Sequence, residues 1–265
     1  MSFLDSIVYT RAIGTYLPRI AAAKVIGRRY RRTPPAVFAE YEMARYQFLE
    51  QFRESEWTAD EFVLSECDDD PEVPGVLDGR VVRGRGVWTE IRRRLLTRLH
   101  EAVSTYQASS VIEVGCGTGR NLIYLRTRRP EIEITGLELT PSGVETAQLA
   151  AERYGFIGTF IKLDVAQEWN IPPADVVYSM HALEQMPTQY RAVLDQMCAH
   201  ARKAVVLFEP VPDMWPGVAG FAGRLRARWL DRLPPGAVAG YDITRQALLP
   251  FGTALNRTNE IHIRP

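Results

Sequence analysis

The stretch Val111-Ile-Glu-Val-Gly-Cys-Gly-Thr-Gly-Arg-Asn121 decides the fold of this chain. It joins an apolar, strand-like run to three alternating glycines and then to a helical pattern. Because Gly115, Gly117 and Gly119 lack side chains, a ligand at the end of the strand can lie almost against their backbone. The stretch therefore predicts a strand, a ligand-binding loop and a helix in succession.

Two acidic residues flank this loop at informative distances. Glu113 lies two residues before the first glycine, and Glu138 lies 19 residues after the last one. This spacing is typical of a βαβ unit that holds an adenosine-containing cofactor, with Glu138 accepting hydrogen bonds from ribose hydroxyls. The dinucleotide pattern G-x-G-x-x-G fails in register, because its third glycine would fall on Arg120. A dinucleotide is therefore not the expected ligand.

The composition of the 265 residues is ordinary for a globular protein, and it excludes several classes of function. Lys plus Arg equals Asp plus Glu at 32 each, which gives no support for nucleic-acid binding. Three widely separated cysteines without a C-x-x-C pair indicate a reduced, cytoplasmic compartment. No apolar run approaches the roughly 20 residues of a membrane span, and no cluster has metal-ligand spacing.

The chain divides into two regions. Residues 1–106 are interpreted as a helical N-terminal extension or lid, and residues 107–265 as a cofactor-binding domain. From residue 110 short apolar strands alternate with helices, which predicts an α/β, Rossmann-like, doubly wound and mostly parallel sheet with its ligand at the carboxyl ends of the strands. The predicted strands are 110–114, 132–138, 157–163, 174–179 and 203–208, and the predicted helices between them are 119–129, 141–154 and 187–201.

The extension and the tail carry weaker patterns. Thr33-Pro-Pro35 predicts a helix start, and apolar residues at helical spacing follow, with Arg45 among them. A second helix is predicted from Trp88 to Tyr106. The remaining interpretations are a solvated acidic loop from Glu66 to Gly79, a solvated basic run at Arg28–Arg32, a helix over 217–232 and a last edge strand over Glu260–Ile263.

Glu113-Val-Gly-Cys-Gly-Thr-Gly119 resembles motif I of the class I S-adenosylmethionine (SAM)-dependent methyltransferases. Later landmarks follow in that family's order over about residues 108–210, with the ribose-binding acid at Glu138 and the adenine-binding acid at Asp164. The resemblance implies the family's fold and SAM as the cofactor. It also implies a set of cofactor-binding residues: Glu113, Gly115, Cys116, Gly117, Gly119, Glu138, Leu139, Asp164, Val165 and Ser179.

The resemblance places the methyl acceptor after the fourth strand, where His181 lies. An imidazole titrates near neutrality, so His181 is a candidate general base, with Glu184 and Tyr178 orienting an amine or hydroxyl. Each assignment has an alternative. His181 is equally well explained as a histidine at a helix entry. The alternative for Asp164 is a helix cap. Glu209 is a further candidate for the pocket, and its alternative, a structural turn residue, is the favoured one.

A further pair precedes motif I. Arg85 is a candidate partner for the cofactor carboxylate, and Trp88 is a candidate to pack over the cofactor. The alternative is that this segment is a glycine turn followed by a tryptophan that packs in the core. The segment Tyr178-Ser-Met-His181 lacks the Asn/Asp-Pro-Pro-aromatic motif of the family's amino-methylating nucleic-acid enzymes. The resemblance thus implies methyl transfer to an oxygen or nitrogen of a small metabolite, with a homodimer possible. The alternatives are an aminopropyl transferase and a non-catalytic SAM-binding partner.

Overall fold

The computed structural model describes residues 34–65, 74–186, 188–215, 233–253 and 256–265, and single positions at 18, 21, 22, 25, 220, 221 and 224. The basic run at Arg28–Arg32, the acidic loop at 66–72 and most of the predicted helix at 217–232 lie outside these residues. In the ranges that are described, no helix has both the length and the apolar character needed to cross a bilayer.

Helices and strands alternate along most of the chain. The helices are α1 (Pro34–Glu54), α2 (Ala59–Leu64), α3 (Val87–Thr105), α4 (Arg120–Arg128), α5 (Pro141–Arg153) and α6 (Tyr190–His200). The strands are β1 (Gly75–Leu77), β2 (Arg80–Val82), β3 (Ser110–Val114), β4 (Glu133–Glu138), β5 (Thr159–Lys162), β6 (Ala174–Met180), β7 (Ala201–Glu209), β8 (Asp242–Thr253) and β9 (Arg257–Arg264). The predicted strands and helices from 110 to 208 are therefore confirmed, with small differences at their ends.

All these strands join one sheet in the order β2-β1-β8-β9-β7-β6-β3-β4-β5. Strands β3 to β7 are parallel, which confirms the predicted Rossmann-like α/β fold. β9 runs antiparallel to both of its neighbours, β7 and β8. The strand order reverses between β3 and β6, and the crevice at the carboxyl ends of such a pair is where α/β sheets bind ligands.

The strand predicted at Glu260–Ile263 is confirmed, but its predicted position at the edge of the sheet is wrong. These residues belong to β9, which lies inside the sheet between β7 and β8, and their side chains are almost completely buried. The interior tolerates Glu260 because Arg98 and His262 both donate to its carboxylate, at 2.7 to 3.0 Å. Burial alone would raise the pKa of Glu260, but these bonds outweigh it and hold the pKa below its ordinary value.

Three strands were not predicted. β1 and β2 form a hairpin through Asp78 and Gly79, both with positive φ, and β1 with this turn lies inside the segment interpreted as an acidic loop. β1 also pairs with β8, so the predicted boundary at residue 106 does not separate the strands of the sheet. β8 carries exposed polar side chains and Pro250, which interrupt the apolar pattern by which strands are recognised.

Two apolar layers sandwich the sheet, as the alternation of side chains along each strand requires. The helices α1 to α5 pack on one face with Val111, Val176 and Val206. Helix α6 and residues 233–238 pack on the other face with Ile112, Val177 and Val205. The N-terminal helices thus share one core with the sheet, and this brings α1 to the carboxyl edge of β3 and β4.

Candidate active site

The glycine loop after β3 is held against β4. The backbone N–H groups of Gly115 and Cys116 both donate to the carbonyl oxygen of Leu137, at 2.8 and 3.0 Å. Gly115 has φ +68°, and a Cβ there would lie 2.5 Å from the Cβ of Ala182. Backbone conformation and close approach therefore both require glycine, which explains how the loop can border a cavity.

Glu138 ends β4 and fixes the shape of this loop. Its Oε2 accepts from the N–H of Gly117 at 2.8 Å, and its Oε1 accepts from the N–H and hydroxyl of Thr140 at 2.9 and 2.6 Å. A carboxylate offers about four acceptor positions, so one remains for a ligand hydroxyl. Hydrogen bonds from the glycine loop and from Thr140 thus fix the orientation of Glu138, the predicted ribose-binding acid, before a ligand binds.

A cavity of about 420 Å³ opens where β3, β4, β5 and β6 end. Seven of the residues predicted from the sequence line it: Gly115, Glu138, Leu139, Asp164, Val165, His181 and Glu184. The other predicted residues are buried and are not part of this lining: Glu113, Cys116, Gly117, Gly119, Tyr178 and Ser179. The structure therefore gathers the predicted ribose, adenine and acceptor residues around one space.

Asp164 occupies the position between β5 and the turn that follows it. Its Oδ1 accepts from the N–H of Ala166 at 3.1 Å, and the side chain is exposed where it borders the cavity. Among the described residues its Oδ2 accepts no hydrogen bond. A turn rather than a helix follows Asp164, so the helix-cap alternative is wrong, and the cap on this turn is compatible with the adenine-binding prediction.

Glu113 and Tyr178 are buried together beneath the glycine loop. Burial raises the pKa of Glu113 to about 7. Three influences lower this pKa and limit the rise: the hydrogen bond that Asn121 donates to its Oε1, Tyr178, and the charges of nearby arginines. Burial, followed by the charge of Glu113, raises the pKa of Tyr178 well above its ordinary value. Tyr178 lies in the core and does not line the cavity, so its position lends no support to the predicted catalytic role.

His181 follows β6 and holds an unusual backbone conformation, with φ +56°. A residue with a side chain pays roughly 1–2 kcal/mol for that region, so the surrounding contacts must impose it. Its Nδ1 lies 2.9 Å from Oε1 of Glu184, and its Nε2 lies 2.8 Å from the hydroxyl oxygen of Thr258. Asn256 donates to both carboxylate oxygens of Glu184 at 2.8 Å.

Glu209 fixes the loop that carries His181. Its carboxylate accepts from the hydroxyl of Ser179 at 2.5 Å and from the N–H groups of residues 182, 183 and 184 at 2.9, 3.0 and 3.2 Å. Burial raises the pKa of Glu209, while a positive charge on His181 lowers it and the charge of Glu184 raises it further. The structural alternative for Glu209 agrees with this geometry, and Ser179 likewise supports the loop from below.

The N-terminal helix α1 forms one wall of the cavity through Val37, Phe38, Tyr41 and Arg45. The guanidinium of Arg45 lies over Gly117, and Glu42 accepts from the hydroxyl of Ser142 at 2.6 Å at the start of α5. Neither residue is among those predicted from the sequence to have a role in the site. In the sequence, Arg45 is distinguished by its position on the otherwise apolar face of the predicted helix.

Arg85 and Trp88 do not occupy the positions that a role in the site would need. Arg85 is exposed on the turn before α3 and is absent from the cavity lining. Trp88 packs against the core cluster beneath α3. The structure thus agrees with the alternative of a turn followed by a core tryptophan, and Arg45 is the arginine that lines the cavity.

Comparison with known proteins gives one family match and several distant relatives. Residues 111–204 match the family model described as a methyltransferase domain. Trans-aconitate 2-methyltransferase of Enterobacter sp. (strain 638) is 28% identical over 122 residues, which are 46% of each chain. The enzyme of the same name from Methylobacterium radiotolerans is 27% identical over 162 residues, 51% of this chain and 60% of that one. The chain thus matches about half the length of these curated relatives.

Among solved structures, the N-methyltransferase NodS from Bradyrhizobium japonicum WM9 in complex with S-adenosyl-L-homocysteine is similar to this chain. The superposition covers 83% of this chain and 97% of NodS, with a TM-score of 0.52 and 16% sequence identity. At that identity the likeness concerns the fold alone.

Proposed function

We propose that this chain, whose residues 111–204 form a methyltransferase domain of the class I SAM-dependent family, transfers a methyl group from SAM to an oxygen or nitrogen of a small molecule. One observation carries the proposal. A single cavity at the strand-order reversal is lined by Gly115, Glu138 and Asp164 together with His181 and Glu184. The residues proposed to bind the cofactor and those proposed for acid–base chemistry therefore border the same space.

The residues around the cavity fit the parts of SAM one by one. The methionine portion needs close approach to backbone, which the glycine loop provides. Glu138 has an acceptor position left for a ribose hydroxyl, and the exposed carboxylate of Asp164 can accept from an adenine amine. Arg45 is placed to pair with the α-carboxylate, because its guanidinium lies over Gly117 in the loop.

When bound, SAM supplies a methyl group on a sulfonium that needs no further activation. The protein's part is to align the acceptor and to remove its proton. His181 is the group proposed to take that proton, and the adjacent Glu184 carboxylate stabilises the resulting imidazolium. The apolar side chains of Phe38, Met180 and Met186 provide a surface for the body of the acceptor.

Calorimetry tests the cofactor, with SAM and S-adenosylhomocysteine titrated into folded protein. We expect both to bind, and an absence of binding would contradict the proposal. Methyl transfer is then measured as S-adenosylhomocysteine released with hydroxyl, amine and carboxylate acceptors, including trans-aconitate, the compound in the relatives' names. Binding of SAM without transfer to any acceptor would favour the non-catalytic alternative.

A further inference from the structure

Arg257 is a buried arginine at the start of β9, with 8% of its surface exposed. Among the residues that the structure describes, its guanidinium makes one hydrogen bond, from Nη2 to the carbonyl oxygen of Leu249 at 3.3 Å, and it pairs with no carboxylate. Its Nε–H group is buried and donates to none of them. A guanidinium keeps its charge at all ordinary pH values, and a buried charge without a counterion is costly. Arg257 therefore offers a positive charge and an unused donor.

Asn259 adds a second unused donor. It is completely buried, and its Oδ1 accepts from the N–H of Val211 and from the indole N–H of Trp215, both at 2.9 Å. Its Nδ2 donates to no acceptor in the described part of the chain. Side chains two residues apart in a strand lie on the same face, roughly 7 Å apart along the strand. Arg257 and Asn259 thus present two buried N–H donors, one of them charged, on one face of β9.

The surroundings of Asn259 on the two adjacent strands do not use these donors. Glu209 pairs with Asn259 across β7 and β9, but its carboxylate accepts from the hydroxyl of Ser179 and from three backbone N–H groups of the loop after β6. On β8, Leu248 pairs with Asn259 and packs against Trp215. The two donors are therefore flanked by an occupied carboxylate on one side and by apolar side chains on the other.

We propose that Arg257 and Asn259 form a binding site for the carboxylate group of a small molecule. One carboxylate oxygen accepts from Nε of Arg257 and the other from Nδ2 of Asn259. A carboxylate also balances the single charge of the guanidinium, whereas a phosphate monoester carries about two charges at neutral pH. Neither residue belongs to the lining of the cavity. The site is thus separate from the cofactor and the methyl acceptor, and it does not depend on the proposed function.

The Nε–H group of Arg257 provides a direct measurement of binding. A buried Nε–H exchanges slowly with water, so its signal is observable by proton–nitrogen NMR and is assigned as the one lost in Arg257→Met. We expect sodium acetate to shift this signal until it saturates, and sodium chloride at equal ionic strength to leave it in place. A signal that acetate does not move would overturn the proposal. An equal shift with chloride would also overturn it, because the site would then not recognise a carboxylate.

Thermal stability tests both residues. A ligand that binds the folded state raises the melting temperature, so about 100 mM acetate should raise it by about 2 to 5 °C over chloride in the wild type. Arg257→Met should lose this gain. Without acetate the variant should be at least as stable as the wild type, because it removes an unpaired buried charge. Asn259→Asp keeps an acceptor for Trp215 and supplies a carboxylate next to Arg257, so it should also lose the gain.

Arg264→Met is the matched control for these variants. Arg264 ends the same strand, is exposed and pairs with Asp242 at 3.1 Å, so its replacement should leave the gain from acetate unchanged. A gain of wild-type size in Arg257→Met would contradict the proposal, because acetate would then act elsewhere on the protein. The same result in Asn259→Asp would overturn the pairing of Asn259 with Arg257 in one site.

Calorimetry with S-adenosylhomocysteine separates this site from the cavity. We expect its dissociation constant to agree within about twofold with and without acetate, since neither Arg257 nor Asn259 lines the cavity. Competition between acetate and S-adenosylhomocysteine would overturn a separate site. A protein that binds acetate at Arg257 but neither SAM nor S-adenosylhomocysteine would refute the proposed function and leave this inference intact.

Discussion

The guanidinium of Arg45 lies directly over Gly117, so close that a Cβ on this glycine would come within 2.8 Å of Nη2. Arg45 belongs to α1, whereas Gly117 belongs to the loop between β3 and α4, 72 residues further along the chain. The contact therefore joins the N-terminal helix to the loop that defines the domain. It places a positive charge beside the loop that is proposed to hold the methionine portion of SAM.

Replacement of Arg45 by Met should weaken SAM binding selectively. A hydrogen bond to a charged group is worth about 1.5–3 kcal/mol, so the dissociation constant for SAM should rise by about 10- to 100-fold. Calorimetry should show much less change for 5′-methylthioadenosine, which lacks the amino acid. Arg53→Met removes an arginine of the same helix that pairs with the exposed Glu50 and Glu145, and it should bind SAM normally. Equal losses for both ligands would disprove the pairing.

Glu138→Gln should reduce both cofactor affinity and the order of the glycine loop. The side-chain nitrogen of the new glutamine cannot accept a hydrogen bond. Either the N–H of Gly117 or the N–H and hydroxyl of Thr140 therefore lose their acceptor. We expect at least a tenfold loss of SAM affinity, corresponding to about 1.4 kcal/mol. Glu133→Gln, at the exposed start of β4, is the control. Unchanged affinity in Glu138→Gln would argue against ribose recognition by this residue.

Glu113 should make folding stability depend on pH. Its folded pKa of about 7 exceeds the ordinary value of 4.5, so the folded state keeps a proton that the unfolded chain releases. Stability is therefore lost as the pH rises from about 4.5 to 7, by at most about 3 kcal/mol. Urea unfolding of Glu113→Gln should show a smaller decline over that interval than the wild type. Parallel curves for the two proteins would contradict the raised pKa.

Glu209→Gln should destabilise the loop after β6. The carboxylate accepts four hydrogen bonds in the interior, and an amide nitrogen in its place would face donors. Leaving such groups unpaired costs about 1–3 kcal/mol each, so the melting temperature should fall by several degrees. Differential scanning calorimetry measures the loss, with Glu145→Gln on the exposed face of α5 for comparison. A melting temperature equal to that of the wild type would show that the loop does not need the carboxylate.

His181→Gln should separate catalysis from cofactor binding. General-base catalysis typically contributes 10²–10⁴-fold, so kcat should fall by about that factor with hydroxyl or amine acceptors. The affinity for SAM should stay within about threefold of wild type, because the cofactor is held by other residues. A carboxylate acceptor is already ionised at neutral pH and should lose little rate. A full rate with hydroxyl acceptors would assign His181 to the helix-entry alternative.

The sequence predicted the parallel half of the sheet well because each of its strands is a continuous apolar run. Residues 110–114 were predicted as a strand and form β3 with the same bounds. β8 was not predicted because five of its twelve residues are exposed and its apolar residues do not alternate regularly. Buried β9 was taken for an edge strand because its polar residues are paired with side chains far away in the sequence, such as Arg98.

The same limit applies to the site. Glu138 and Asp164 could be predicted because each ends a strand at a fixed distance from the glycine loop. Asn256 and Thr258 could not, since no local pattern shows that β9 returns beside the loop after β6. Arg45 was visible as one charge within an apolar helical face, but only the fold shows which loop that face covers.

The interior position of β9 has a consequence for how the protein is made. During synthesis β1 to β7 leave the ribosome before β8 and β9, and β3 to β7 can pair with one another as they emerge. The hairpin of β1 and β2 and the long strand β8 have no place beside β7 until residues 257–264 have been translated, because β9 lies between them. A nascent chain released before residue 256 would contain the glycine loop and His181, yet expose the unpaired edge of β7.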